Sequence, residues 1–227
     1  MASTTANARH WLAANRQSVL FGLLVVTVAL GPLLAALPSG RTILNVCLGL
    51  TLLATTVSPM EERASGRGFF IFVALAIVLG LAPLRTPLGS TGPITMAVWS
   101  AIAFIAAARA LRYAVSSPHI DLKHLLAALN AYLLVGVFLG EIWVVIEGTW
   151  PQSLLQGGQP IADFGLPDGI YFSFVTLATL GYGDITPMTP IARGLAVFEA
   201  VFGQLYLAVM VARLVSLRIA GESRDDQ

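Results

Sequence analysis

The chain has 227 residues, 56% of them hydrophobic and 11% charged, with a formal net charge of +1. That balance excludes an ordinary soluble domain and makes lipid the expected solvent for much of the chain. Its single cysteine, Cys47, lies inside an apolar run, so it rules out an intrachain disulfide framework and reads as a small core residue.

Residues 1–18 form a polar N-terminal segment carrying Arg9, His10 and Arg16. The apolar run Val19 to Leu37 is longer than a signal-peptide core and reads as a first transmembrane helix, ended by Pro38-Ser39-Gly40. A second span is expected from Thr42 to Val57 and a third from Phe69 to Leu84. Both are short for about 30 Å of hydrocarbon at about 1.5 Å per residue, so they borrow flanking residues. A fourth begins near Ile94 and reaches Arg109 and Arg112. After the polar linker from Ser116 to Asp121, a fifth span is expected over Leu122 to Glu147 and a last one over Ile191 to Ile219. No internal repeat is visible, which argues against transporters built from inverted halves.

Six spans with both termini in the cytoplasm place Arg9, Arg16, Arg63, Arg67, Arg109, Arg112, Lys123, Arg213, Arg218 and Arg224 inside. Arg41, Arg85 and Arg193 remain outside, so the positive-inside rule is satisfied. The stretch between the last two spans then lies on the outer side. It contains a short helix expected from Ile170 to Ala178, entered through Pro167-Asp168-Gly169, followed by Thr179-Leu180-Gly181-Tyr182-Gly183-Asp184. Glycines alternating with bulkier residues suit neither helix nor strand. With positive φ at Gly181 and Gly183, successive carbonyls can face one way and form a column of oxygens able to replace the hydration shell of a monovalent cation. Non-helical backbone at membrane depth is tolerated only where it lines a wet cavity or is buried in protein.

These residues, with Thr176 completing a Thr-x-x-Thr-x-Gly-Tyr-Gly pattern, resemble the selectivity filter of the six-transmembrane-helix potassium channels; Leu180 stands where valine is commoner. The resemblance implies an all-α membrane protein. It would have a four-helix sensor-like bundle (19–117), a two-helix pore domain with re-entrant pore helix and filter loop (118–220) and a short cytoplasmic tail (221–227). It further implies a homotetramer, since one chain supplies one filter strand. Potassium would be held by the backbone oxygens of Thr179, Leu180, Gly181 and Tyr182 and by the Thr179 hydroxyl, with Gly183 at the outer end. The Tyr182 ring would brace the loop. Asp184 would be held from behind, where of Tyr171 and Phe172 only Tyr171 can donate. Some relatives pair that aspartate with a pore-helix glutamate, but here Val175 stands at the position, which leaves the inactivation behaviour open.

Gly203 resembles the hinge glycine of the family's inner helix, the alternative being a small residue that lets helices approach. Leu207, Val211 and Val215 follow at intervals of four on the same face and are the candidate apolar gate, a packed Leu/Val stripe being the other reading. Glu199, one turn above Gly203, and Glu141 in the fifth span are carboxyls at membrane depth and hence functional candidates. Glu199 is expected to reach the pore helix or filter base and to be at least partly protonated, since burial raises a carboxyl pKa; a carboxyl satisfied by Thr, Ser or backbone with no part in gating is the alternative.

The fourth span offers only Arg109 and Arg112, both at its cytoplasmic end. One charge crossing 100 mV contributes about 2.3 kcal/mol, so two that barely cross the field imply weak or no voltage gating. Arg109, Arg112 and Lys123 are expected to anchor at lipid headgroups, with an anionic-lipid site as the sharper alternative. His119, Asp121 and His124 are too few for a metal site. No catalytic set, Walker loop or dinucleotide fingerprint is placed, so neither an enzyme nor an organic cofactor is expected, nor a nucleic-acid partner. The eight residues after Ile219 are too few for an attached ligand-binding domain. The expected function is a potassium-selective channel in the plasma membrane. Its rivals are a poorly selective monovalent cation channel and a non-conducting regulatory subunit.

Overall fold

A computed structural model describes residues 15–35, 37, 43, 47, 48, 51, 85, 86, 89, 90, 92–115 and 122–225. The chain divides into two compact units, Met1–Ala106 and Ala107–Gln227. Nearly all of the second and third expected spans, together with His119 and Asp121, lies outside the described residues.

In the first unit, helix α1 (Arg16–Ala35) starts three residues before the expected span. Strands β1 (Arg85–Thr86) and β2 (Gly89–Ser90) pair antiparallel. Helix α2 (Gly92–Val115) begins in this unit and ends in the second. Leu20, Leu24, Ile102 and Ala103 are buried.

The second unit holds α3 (Leu122–Thr149), β3 (Leu154–Gln156), β4 (Gln159–Pro160), α4 (Leu166–Leu177), β5 (Ile185–Pro187) and α5 (Pro190–Asp225). Two helices of the described residues, α3 and the stretch Pro190–Arg213 of α5, are long and apolar enough to cross a membrane. Helix α5 exceeds the expected span: its 36 residues extend about 54 Å at about 1.5 Å per residue. The six residues after Ile219 continue the helix, across Gly221, as far as Asp225. Thr189 caps its start by accepting the Ala192 N–H at 3.3 Å, with Pro190 in the first helical position.

The segment between α3 and α4 is not the plain loop that an all-α reading expects. Gly157 and Gly158, at φ 57° and 80°, make a two-residue turn between β3 and β4, with Gln156 opposite Gln159. Positive φ at both turn residues is what a tight hairpin needs. Strand β5 joins the other edge of β3, pairing Leu154 with Pro187 and Gln156 with Ile185. Glu147 ties this sheet back to α3 by accepting the Gln152 and Leu154 N–H groups, both at 2.8 Å. Beneath it Trp143, Ile146, Leu154, Phe172, Ile185 and Ala192 form the buried core of the unit.

Helix α4 seats against α3 through glycines. A Cβ on Gly136 would stand 2.5 Å from the Phe174 ring, and one on Gly140 2.8 Å from Ile170 Cα. From the other side, a Cβ on Gly169 would run into the Gly140 carbonyl. Gly136 and Gly140 lie four apart, one turn, and so present a single flat stripe to the incoming helix.

Candidate functional site

Helix α4 begins four residues earlier than expected. Pro167 and Asp168 lie inside its first turn, where the Asp168 carboxylate accepts the Gly165 N–H at 3.0 Å and proline costs no intrahelical bond. It ends at Leu177 in a double backbone closure. Thr179 N–H donates to Thr176 O at 2.9 Å and Leu180 N–H to Val175 O at 2.9 Å, with Gly181 N–H also on Val175 O at 3.3 Å. This is the Schellman pattern, which requires a left-handed residue just past the cap. Thr179 takes that position at φ 56°.

Glycine usually fills such a place; a β-branched residue held there costs about 1–3 kcal/mol. Gly181 and Gly183 follow at φ 57° and 78°, while Leu180 and Tyr182 are not in the positive region. Positive φ therefore recurs at every second residue from 179 to 183. Alternation of hand is what turns successive carbonyls to one side, and the amides of Leu180 and Gly181 are meanwhile drawn back onto α4. The Leu180 and Tyr182 side chains are 56% and 67% exposed, so among the described residues the Tyr182 ring stands largely clear of its own chain.

Around this loop the structure places the other expected residues. Tyr171 OH donates to Asp184 Oδ2 at 2.7 Å. That bond, on a helix outside both spanning segments, pushes the Tyr171 hydroxyl up to about 12, so it stays a donor at physiological pH. The Asp184 backbone oxygen accepts Gly157 N–H at 3.0 Å, which joins the β3–β4 turn to the loop's exit. Gly203 is buried against the end of α4, where a Cβ would run into the Leu177 carbonyl; close packing is therefore one role it has. Leu207, Val211 and Val215 are exposed in the single chain, at 39%, 58% and 53%.

Glu199 is fully buried, and its partners are Ser173 on α4 and Trp143 on α3. Glu141 is buried on α3 and is not among those partners. Arg112 and Lys123 are exposed and Arg109 is half-buried.

Several residues went unnoticed in the sequence. Trp143 and Ser173 come to Glu199 from 56 and 26 positions away, a separation no local pattern reports. Gln204 Nε2 reaches Thr179 Oγ1 at 3.3 Å. Arg213 donates to Ala114 O at 3.2 Å and Val115 O at 3.0 Å, capping the last carbonyls of α2. Tyr206 OH donates to Ala128 O at 2.6 Å, and its ring tilts against Tyr132. The Gly136-x-x-x-Gly140 spacing was the one local signal available.

Comparison with known proteins relates part of this unit to ion channels. Residues 128–218 match the family model described as ion channel. The matched stretch runs from α3 through α4, the loop after it and most of α5. Potassium channel relatives include two pore potassium channel c of Oryza sativa, 33% identical over 93 residues, which are 41% of this chain and 18% of that protein. Human potassium voltage-gated channel subfamily A member 10 is 39% identical over 92 residues, 40% of this chain and 16% of that protein. Protein LctB of Geobacillus stearothermophilus is 46% identical over 50 residues, 22% of this chain and 37% of that protein. The matches thus span well under two thirds of these relatives. An ion-channel match laid over two apolar helices of spanning length marks a membrane protein.

Proposed function

We propose that the chain is one subunit of a homotetrameric potassium-selective channel that conducts passively across the plasma membrane. The observation that carries this reading is the recurrence of positive φ at Thr179, Gly181 and Gly183, set directly on the C-terminal cap of α4. Four such strands about an axis offer rings of oxygens from Thr179, Leu180, Gly181 and Tyr182, with the Thr179 hydroxyl at the inner mouth. Potassium sheds water and passes from ring to ring. Thr176 supports the loop through its carbonyl, which holds the Thr179 amide, and Tyr171 supports it through Asp184. The exposed Leu180 and Tyr182 side chains and the exposed apolar surface of α5 are the parts a tetramer covers.

Six spans with both termini cytoplasmic, a sensor-like first domain and weak or no voltage gating complete the reading. Gly203 serves as packing point and hinge, and Leu207, Val211 and Val215 serve as the gate, closing by dewetting. Arg109, Arg112 and Lys123 sit at the cytoplasmic headgroups.

The test is the reversal potential of purified protein in a planar bilayer with potassium on one side and sodium on the other, over a voltage ramp. Reversal near the potassium equilibrium value with little voltage dependence is expected. Reversal near zero would replace this reading with a poorly selective cation channel. A protein without current under any voltage or pH would be a regulatory subunit instead.

A further inference from the structure

Glu199 sits one turn before Gly203, buried where three helices meet, and the hydrogen bonds there do not close for a carboxylate. Ser173 Oγ lies 2.8 Å from Gly136 O and 2.5 Å from Glu199 Oε1. A serine hydroxyl has one proton to give, and a backbone carbonyl can only accept. If Glu199 were ionised, both neighbours of Ser173 would be acceptors competing for that one proton. One of the two contacts would then be oxygen lone pairs facing each other at 2.5 or 2.8 Å, too close for a water to stand between them. Trp143 Nε1 does not resolve this, since its single proton is already given to Glu199 Oε2 at 2.8 Å.

One more proton, on Glu199 Oε1, satisfies every atom. Glu199 then donates to Ser173 Oγ, Ser173 donates to Gly136 O, and Trp143 donates to Glu199 Oε2. The surroundings agree with a neutral group. Glu199 is 0% exposed and both its hydrogen-bond partners are uncharged, whereas a buried charge without a cation is costly. The basic residue near the start of α5, Arg193, gives its Nε to Pro187 O.

We infer that Glu199 is a neutral carboxylic acid acting as donor and acceptor at once, and that in this form it positions the pore helix by tying α5 to α4 and α3. Ser173 lies two residues before Val175, the carbonyl that receives the Leu180 and Gly181 amides. A shift of α5 at Glu199 is therefore passed to the helix that holds the loop, one turn from the close contact at Gly203.

The experiment is infrared difference spectroscopy of the purified full chain in lipid, wild type minus Glu199→Gln, at neutral pH. The expected result is a carbonyl band of a protonated carboxylic acid in the wild type that the glutamine variant lacks. In Ser173→Ala that band should shift in frequency. An amide also supplies one donor and one acceptor, so Glu199→Gln should keep potassium current within about twofold. Glu199→Ala, which leaves Ser173 and Trp143 unmatched, should lose about tenfold or more. Absence of the wild-type band, or a glutamine variant as impaired as the alanine one, would overturn the inference. If the glutamine variant does not fold, Ser173→Ala decides: a wild-type carboxylic-acid band that does not move in that variant overturns the inference. The effect on current rests on the channel reading above. The infrared band does not, so failure of one is distinguishable from failure of the other.

Discussion

Helices α3 and α5 are both long and apolar enough to cross a membrane, yet their fates within one chain are opposite. The most apolar stretch of α3 is 61% buried inside the chain, and that of α5 only 11%. The difference is where each finds its partners. Helix α3 presents a glycine stripe that α4 fills at van der Waals distance. Helix α5 touches its own chain at a few points, chiefly Gly203 on Leu177, the Glu199 cluster, Tyr206 on Ala128 and Arg213 on the end of α2. Val197, Phe198, Val201, Leu205 and Val209 are all more than half exposed. An apolar helix with so little internal contact leaves its surface for lipid, for other subunits or for the lining of a pore. The lesson is that hydrophobicity alone assigns a helix to the membrane, while small residues decide which helices of one chain pack on each other.

The comparison breaks most sharply at Gly203, the tightest point between α5 and α4. Gly203→Val drives a branched side chain into the Leu177 carbonyl and is expected to cost about 3 kcal/mol or more; loss of cooperative thermal unfolding in detergent is the measurement. Gly140→Ala attacks the α3 side, where the added methyl meets the Ile170 backbone, Cα at 2.8 Å and N at 2.9 Å. A loss of about 1–3 kcal/mol is expected from the same assay.

Substituting Val197 and Val201 by serine sharpens the contrast from the other direction. These side chains are exposed, so subunit secondary structure by circular dichroism should be unchanged while the tetramer fraction in size exclusion falls. A tetramer unaffected by both changes would assign that face to lipid.

The smallest effect is expected at Tyr171→Phe. It deletes an exposed hydrogen bond worth under about 1 kcal/mol, so stability should hardly move while the loop's exit loosens, read as faster decay of current. In the wild type the folded-state value of Tyr171 lies above the ordinary one. The bond's contribution is therefore complete below about pH 10 and is lost only as pH rises through about 12. Accelerated decay in the wild type at pH 8 would contradict the assignment of Tyr171 as donor.

Much of this molecule was legible before any coordinate. Long apolar runs reported α3 and α5, because burying or solvating twenty apolar side chains leaves few alternatives to a membrane helix. The alternation of glycine between Thr179 and Gly183 announced its left-handed residues, because φ is a property of a single residue. Even so, Thr179 was invisible as a left-handed position. Its conformation is imposed by the cap of α4, and the energy that holds it comes from the two amides drawn onto Val175.

Boundaries followed the same division. The start of α4 moved to Leu166 because the Asp168 carboxylate closes the first turn onto the Gly165 N–H three residues before it, a contact rather than a propensity. Strand β5 exists only because β3 is there to pair with it.

What the sequence by itself determined is the set of properties that single residues and short periods encode: lipid as solvent, the loop's permitted backbone and the aromatic donor at Tyr171. Only the tertiary structure decided which groups meet across 26 to 56 positions, Ser173 and Trp143 at Glu199. A hydrogen bond's partner depends on where helices are brought to pack, and that is set by the summed fit of the Gly136, Gly140, Gly169 and Gly203 contacts rather than by any one stretch of chain.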